Sequence, residues 1–225
     1  WLQRLVPSNN RMTPTIQLVG AGPGDPELLT VKALNAIRNA QIVIHDRLVS
    51  ADIMALLPRR CERIYLGKSA GDHHVCQEDI ETLSIAAAKT GKRVVRLKGG
   101  DPFTFGRGGE EMQAFRHAGI NVQIIPGISA AAGCAAQAGI PLTDRHYADS
   151  VTLVTAQRRD NAPATNWRQL ASDPGRTLVF YMGLGHAQDI SDNLILHGLP
   201  GHTPVAFIEN GTTSAQREVF STLDR

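Results

Sequence analysis

Short apolar runs alternate with amphipathic stretches along the first part of the chain. The apolar runs predict β-strands at 15–19, 42–44, 63–66, 94–97 and 122–125. The amphipathic stretches predict helices at 26–37, where Asp25 and Pro26 suit a helix start, and at 77–90, 107–118 and 129–138. Strands and helices in alternation are typical of a mainly parallel sheet with helices on both faces. The predicted fold class is therefore α/β.

The pattern changes after residue 140. A polar linker is predicted at 141–149, and a second series of strands follows at 151–155, 177–181 and 204–209, with a polar loop at 157–166. We therefore predict two α/β domains, at 13–140 and 141–225, with a ligand cleft between them. We expect the second domain to be incomplete, because 221–225 shows no evident closing strand.

Composition narrows the class of protein. The net charge is only +2, from 23 basic and 21 acidic residues, and 5% of residues are aromatic, so a nucleic-acid partner is not expected. No apolar run approaches the about 20 residues that cross a bilayer, and the N-terminus lacks the apolar stretch of a secretory signal. We expect a cytoplasmic protein with no membrane partner.

The cysteines and histidines do not predict a metal site. Cys61, Cys76 and Cys134 are irregularly spaced, which favours reduced thiols. The segment 72–76, Asp-His-His-Val-Cys, carries potential metal ligands, but no second cluster completes a site. An exposed polar loop is the favoured interpretation, and no metal is expected.

The segment 94–111 is the strongest indication of a binding site. Its apolar strand stops at Gly99-Gly100-Asp101-Pro102, and a second glycine cluster follows at Gly106, Gly108 and Gly109. A glycine turn between a strand and a helix lets bare backbone approach a ligand at the carboxyl end of a sheet. The pattern predicts a site for a polar small molecule, with a glycine-rich turn that binds nothing as the alternative.

The segment 20–25, Gly-Ala-Gly-Pro-Gly-Asp, matches only the start of a dinucleotide fingerprint. The third glycine of that fingerprint is replaced by Asp25, whose carboxylate would repel a pyrophosphate at the helix N-terminus. No Lys-Ser or Lys-Thr follows, so a P-loop is excluded. An NAD-dependent oxidoreductase is therefore disfavoured.

Taken together, the motifs resemble those of the uroporphyrinogen-III C-methyltransferases, in the tetrapyrrole methylase superfamily, and among them the methyltransferase portion of the sirohaem synthases. The matching segments, in order, are VGAGPGDPELLTVKAL (19–34), HDRLVS (45–50), VVRLKGGDPFTFGRGGEE (94–111), PGISAAAGCAAQAGIPLTDR (126–145), VFYMGL (179–184) and ENGT (209–212). The resemblance implies a homodimeric enzyme of two α/β domains that binds S-adenosylmethionine in the cleft between them. It would methylate uroporphyrinogen III at two ring carbons, giving precorrin-2 and S-adenosylhomocysteine.

The resemblance also assigns roles to individual residues. It makes Asp46 the proton acceptor and Lys68 the proton donor; the alternatives are that Asp46 pairs with Arg47 and that Lys68 only binds a carboxylate. Because uroporphyrinogen is rich in carboxylates, Arg47, Arg107 and Arg145 are expected to bind it, with solvated surface charge as the alternative. The positions implied for the cofactor are Pro23, Gly99, Gly100, Asp101, Thr104, Ser129, Ala130, Met182 and Gly211.

Two cofactor positions have a chemical interpretation of their own. Asp101 can accept hydrogen bonds from polar groups of the cofactor, and Met182 suits either an apolar wall against adenine or the protein core. The chain departs from the family's usual residues at His45, Cys76, Thr104, Ser129, Asp144 and Gln157. Two alternatives stay open: a methylase of a later corrinoid precursor, and a domain that binds S-adenosylmethionine or a tetrapyrrole without turnover.

Overall fold

The computed structural model describes residues 14–66, 76–157 and 164–225. These residues form two compact units. The first comprises the chain up to Ala21 together with Leu29–Gly127, and the second comprises Gly22–Leu28 together with Ile128–Arg225. The predicted division near residue 140 differs from this one.

The first unit is built on a five-stranded parallel sheet, in agreement with the prediction. Its strands are β1 (Thr15–Gly20), β2 (Ile42–His45), β3 (Glu62–Tyr65), β4 (Val94–Lys98) and β5 (Asn121–Ile125). They lie in the order β3-β2-β4-β1-β5, and every neighbouring pair is parallel. Because the strands are parallel, the loops that follow β1, β2, β4 and β5 meet at one edge of the sheet.

Helices cover both faces of this sheet. They are α1 (Val31–Arg38), α2 (Ala51–Ala55), α3 (Gln77–Lys89) and α4 (Gly108–His117). Successive strand residues point to opposite faces, so Val43 joins a core cluster with residues of α1 and α2. Ile42 and Ile44 join a second cluster with residues of α3 and α4. The predicted α/β architecture is confirmed for this unit.

The predicted helix at 26–37 is wrong as one continuous element. It consists of a short 3-10 helix, Pro26–Leu28, and the separate helix α1. Asp25 caps only the short turn, since its Oδ1 accepts from the Glu27 N–H at 2.8 Å. Thr30 caps α1, because its Oγ1 accepts from the Ala33 N–H at 3.1 Å. The break coincides with the point where the chain passes from the second unit back to the first.

The second unit contains α5 (Ala130–Gln137), the parallel pair β6 (Ser150–Thr155) and β7 (Arg176–Tyr181), α6 (Trp167–Ala171), α7 (Ala187–Leu196), and the pair β8 (Pro204–Glu209) and β9 (Arg217–Thr222). The predicted strands end at residue 209, whereas the structure adds β9, which pairs antiparallel with β8. Its first four residues, Arg-Glu-Val-Phe, are all exposed and do not alternate between apolar and polar, so no strand pattern marks them in the sequence.

Helix α5 explains the position of the boundary between the units. The prediction placed this helix in the first domain, yet its contacts are with the second unit. The Ala131 N–H donates to Tyr181 Oη at 3.0 Å, and Gly133 lies against the ring of Pro23. A pattern of small residues predicts the helix but not its partner.

Candidate functional site

Three glycines meet at the carboxyl edge of the sheet in the first unit. A Cβ added to Gly127 would lie 2.3 Å from the Gly100 carbonyl oxygen, and one added to Gly20 would lie 2.5 Å from the Gly127 nitrogen. These separations exclude any side chain at either position. The loops after β1, β4 and β5 therefore touch through bare backbone, in the arrangement expected where a ligand is held by main-chain groups.

Gly99 brings the loop after β2 to the same place. A Cβ at Gly99 would lie 2.8 Å from the Cβ of Leu48. The absence of a side chain at Gly99 thus allows the segment that carries Asp46 to lie against the turn after β4. Two of the sequence-predicted regions, Asp46 and the Gly99–Asp101 turn, are neighbours for this reason.

Asp101 shapes the turn in which it lies. Its Oδ1 accepts from the Phe103 N–H at 2.9 Å and from the Thr104 hydroxyl at 3.4 Å, and its Oδ2 accepts from the Gly127 N–H at 3.2 Å. Both oxygens therefore bind protein groups, which closes the turn and ties it to the loop after β5. That Asp101 and Thr104 also contact the cofactor stays a prediction.

Asp46 is held on its inner side and open on its outer side. Its Oδ1 accepts from the Leu48 N–H at 3.0 Å. Its Oδ2 lies 3.5 Å from Nη2 of Arg96, and the Asp46 side chain keeps 28% of its surface exposed. The alternative that Asp46 pairs with Arg47 is not what the structure has: the ion pair is with Arg96, from inside the sheet.

Arg96 belongs to a buried charged cluster that also contains Lys98 and Glu111. Nε and Nη2 of Arg96 each lie 3.3 Å from Glu111 Oε1, and Lys98 Nζ lies 2.9 Å from the same oxygen. Gln77 donates to it as well, at 3.3 Å. Burial, followed by the charge of Arg96, lowers the pKa of Lys98, and the attraction of Glu111 opposes this shift.

This cluster is not among the sites predicted from the sequence. Arg96 and Lys98 are two residues apart on β4, so they lie on the same face of a strand that is buried throughout. A charged residue inside an apolar strand is rare unless it is paired. That signal was available at Arg96, whereas its partner on α4 becomes apparent only in the structure.

We expect Lys98 to titrate below the ordinary lysine pKa of about 10.4. Between its lowered pKa and that value, the folded protein binds fewer protons than the unfolded chain, so stability rises with pH across this window. The NMR signal of the Lys98 side chain can be assigned because it is missing from the spectrum of Lys98→Met. Its titration midpoint in the folded chain is then compared with the midpoint in the urea-unfolded chain. The difference in the free energy of unfolding between the parent chain and Lys98→Met should also shift in favour of the parent chain as pH rises through this window. Equal midpoints in the folded and unfolded chain would contradict the burial argument.

In the second unit, four predicted cofactor positions gather around the first half of α5. Ser129 precedes the helix, and its hydroxyl lies 2.5 Å from Tyr181 Oη. Pro23 packs on Gly133, and a Cβ added to Gly211 would lie 2.2 Å from Cys134 Sγ. The predicted positions brought together here are Pro23, Ser129, Ala130 and Gly211.

Met182 follows Tyr181 and is not a core residue. Its side chain is 51% exposed, and its backbone has a φ of 58°, in the left-handed region that few residues other than glycine adopt. The interpretation of Met182 as ordinary core is therefore wrong. Its contact with the cofactor stays a prediction.

The three arginines predicted to bind the substrate are all exposed, and one of them forms an ion pair. Arg47 and Arg145 are exposed. Arg107 is exposed too and forms an ion pair with Glu110, with 2.8 Å between Nη2 and Oε2; this hydrogen bond raises the pKa of Arg107. Asp144, one of the departures from the family, accepts from the His146 N–H at 2.8 Å within its own turn. Lys68 lies outside the described residues.

The remaining expectations concern metals and membranes. Within 14–66, 76–157 and 164–225 no three His, Cys, Asp or Glu side chains gather as a metal site would need. The segment 72–75 lies outside those residues. Nor does any helix in the described part of the chain have the length and apolar character to span a bilayer. The three cysteines are free, with Cys61 buried, Cys134 half-buried and Cys76 exposed.

Known proteins are similar to this chain over nearly its whole length. A sequence model of the family described as Tetrapyrrole (Corrin/Porphyrin) Methylases matches residues 15–225. The chain is 54% identical over 208 residues to siroheme synthase 3 of Aeromonas hydrophila, covering 92% of this chain and 44% of that protein. It thus spans about half the length of the curated relatives it matches.

Two solved structures are similar over nearly their full length. Uroporphyrin-III C-methyl transferase from Thermus thermophilus, complexed with S-adenyl homocysteine, has a TM-score of 0.79 at 37% identity, covering 93% of this chain and 89% of that one. A cobalamin biosynthetic enzyme, cobalt precorrin-4 methyltransferase, has a TM-score of 0.83 at 28% identity, covering 98% and 90%.

Proposed function

Because the chain belongs to the family of tetrapyrrole (corrin/porphyrin) methylases, we propose that it transfers methyl groups from S-adenosylmethionine to two ring carbons of uroporphyrinogen III, giving precorrin-2. The observation that carries this proposal is Asp46, a partly exposed carboxylate beside a turn of bare glycine backbone. The similarity to a uroporphyrin-III C-methyl transferase over most of both chains supports the choice of substrate.

The residues present fit S-adenosylmethionine. In the first unit, Gly99 and Gly100 offer backbone without side chains at the end of β4, where the loops after β4 and β5 touch through glycines. In the second unit, the exposed thioether of Met182 suits an adenine face. The residues that would hold the cofactor are the nine predicted positions, Pro23, Gly99, Gly100, Asp101, Thr104, Ser129, Ala130, Met182 and Gly211.

Asp46 is the proposed proton acceptor. When bound, S-adenosylmethionine supplies an electrophilic methyl group that forms a bond to a ring carbon as its bond to sulfur breaks. The methylated ring system then carries one added positive charge, and the loss of one proton removes that charge. An ionised carboxylate fixed by Leu48 N–H and Arg96, yet open to solvent, can accept that proton. Lys68 as proton donor also remains a prediction.

The substrate's carboxylates require positive charge at the site. We propose Arg47, Arg107 and Arg145 for this role, since all three guanidinium groups are exposed and able to bind carboxylates in pairs of hydrogen bonds. Arg107 would exchange its Glu110 partner for a substrate carboxylate. The family resemblance further supports a cytoplasmic location and a homodimer, and sedimentation of the purified chain would test the dimer.

Anaerobic turnover tests the proposed function. The chain is incubated with S-adenosylmethionine and enzymatically prepared uroporphyrinogen III, and the spectrum is followed. We expect the chromophore of precorrin-2 to appear together with S-adenosylhomocysteine. Two other results would overturn the proposal. Calorimetric binding of S-adenosylmethionine without product would indicate a binding domain, and product formed only from a later corrinoid precursor would indicate a different methylase.

A further inference from the structure

We propose that Arg96 is a positioning residue, which holds the carboxylate of Asp46 in one orientation from inside the sheet. This inference rests on the proposed function, because it gives Arg96 a task only if Asp46 takes part in catalysis. Arg96 itself does not touch the substrate, since only 2% of its side chain is exposed. Its effect must therefore pass through Asp46.

Besides Asp46, the guanidinium of Arg96 contacts Leu97, Ile44 and Glu111. Its Nη1 donates to the carbonyl oxygen of Leu97 at 3.0 Å, and its Nε and Nη2 bind Glu111 Oε1. The remaining direction of Nη2 points at Asp46 Oδ2, 3.5 Å away. A planar group held in this way presents one N–H at a constant position, which a flexible lysine ammonium would not do.

Asp46 balances the charge of the buried cluster. Arg96 and Lys98 supply two positive groups around the single carboxylate of Glu111, so the buried part lacks one negative charge. Asp46 is the second carboxylate that Arg96 contacts. An unbalanced buried charge is costly, and the cluster is therefore complete only when the Asp46 carboxylate lies where Arg96 can reach it.

The cluster is poorly arranged for stability alone. Every donor that reaches Glu111, from Gln77, Arg96 and Lys98, binds Oε1, while Oε2 is buried and has no hydrogen-bond partner among the described residues. Buried ionic groups are often no more stabilising than apolar residues of the same volume. A network with an orphaned carboxylate oxygen, placed directly behind the proposed base, is better explained by the orientation of Asp46 than by folding.

Kinetics in two backgrounds separate positioning from folding. Arg96→Met should lower kcat about 10-fold in the parent chain but less than about twofold in Asp46→Asn, because the interaction it removes acts through Asp46. KM for the tetrapyrrole should be little changed. Lys98→Met is the matched control, since it also removes one buried cation from Glu111 but not the contact with Asp46; its effect should be equal in both backgrounds. An equal loss for Arg96→Met in both backgrounds would overturn the proposal.

Two further measurements cover the cases in which that experiment fails. If Arg96→Met does not fold, Arg96→Lys retains the charge, and should show the same dependence on Asp46 with a smaller loss. If the parent chain has no methylase activity, the proposed function fails by itself, and the solvent-exchange rate of the Leu48 amide still reports on the Asp46 carboxylate. Exchange at Leu48 should rise several-fold in the Arg96 variant, but not in Lys98→Met, relative to the Ile53 amide capped by Ser50. Unchanged exchange at Leu48 would show that Arg96 does not hold Asp46.

Discussion

Replacing Asp46 with asparagine should lower the rate of methylation about 100-fold or more, with little change in the affinity for S-adenosylmethionine. An asparagine has nearly the same shape, and its carbonyl oxygen can still accept from the Leu48 N–H. What it loses is the ability to accept a proton from the methylated macrocycle. Single-turnover rates and calorimetric titration of the cofactor check the two halves of this expectation.

Asp52→Asn is the matched control. Asp52 is an exposed aspartate in the first turn of α2, on the same stretch of chain, and its replacement removes the same charge. It should leave the rate within about twofold of the parent chain, in the range of ordinary surface changes. Equal rates for Asp46→Asn and the parent chain would remove Asp46 from the mechanism, whereas equal losses in both variants would indicate only a general effect of charge.

Gly127→Ala should weaken cofactor binding at least about 10-fold and lower the free energy of unfolding by about 1–3 kcal/mol. The added Cβ would lie 2.3 Å from the Gly100 carbonyl oxygen and 2.9 Å from the Cα of Gly20, so the loops must separate. Because Gly100 is a predicted cofactor position, its displacement reaches the binding site directly. Thermal unfolding gives the stability change, and calorimetry at a temperature where the variant is folded gives the affinity.

Gly109→Ala is the control for Gly127→Ala. A Cβ at Gly109 meets no atom within 4 Å, and the residue lies in the first turn of α4, where alanine is the better helix former. It should bind the cofactor as the parent chain does and be equally stable or slightly more so. If Gly127→Ala were equally harmless, the close approach of the three loops would not matter for the site.

Local pattern was sufficient for the first sheet. Strand β4 is buried at all five positions and β1 at four of six. Their apolar runs therefore predicted the ends of both strands to within one residue. The same runs, separated by amphipathic helices, predicted parallel strands with both faces covered. The glycine turn at 99–101 was also evident, because no regular element tolerates that composition.

Features that depend on which elements pack together could not be predicted from the sequence. Gly20 and Gly127 lie beside Gly100 because β1 lies between β4 and β5, and no spacing along the chain reveals that order. The assignment of α5 to the second unit depends likewise on Tyr181 and Pro23. Arg96 carried a signal in the sequence, but its connection to Asp46 exists only through the register of β2 and β4.

Transfer of an isotopic label shows whether the chain methylates carbon atoms of the tetrapyrrole. The chain is supplied, without oxygen, with uroporphyrinogen III and S-adenosylmethionine carrying a trideuterated methyl group, and the tetrapyrrole product is weighed by mass spectrometry. The proposed C-methylation predicts two labelled methyl groups on each tetrapyrrole, both stable to mild base. One S-adenosylhomocysteine should be released for each methyl group transferred. A tetrapyrrole without label, or label that mild base removes as a carboxylate ester, would contradict it.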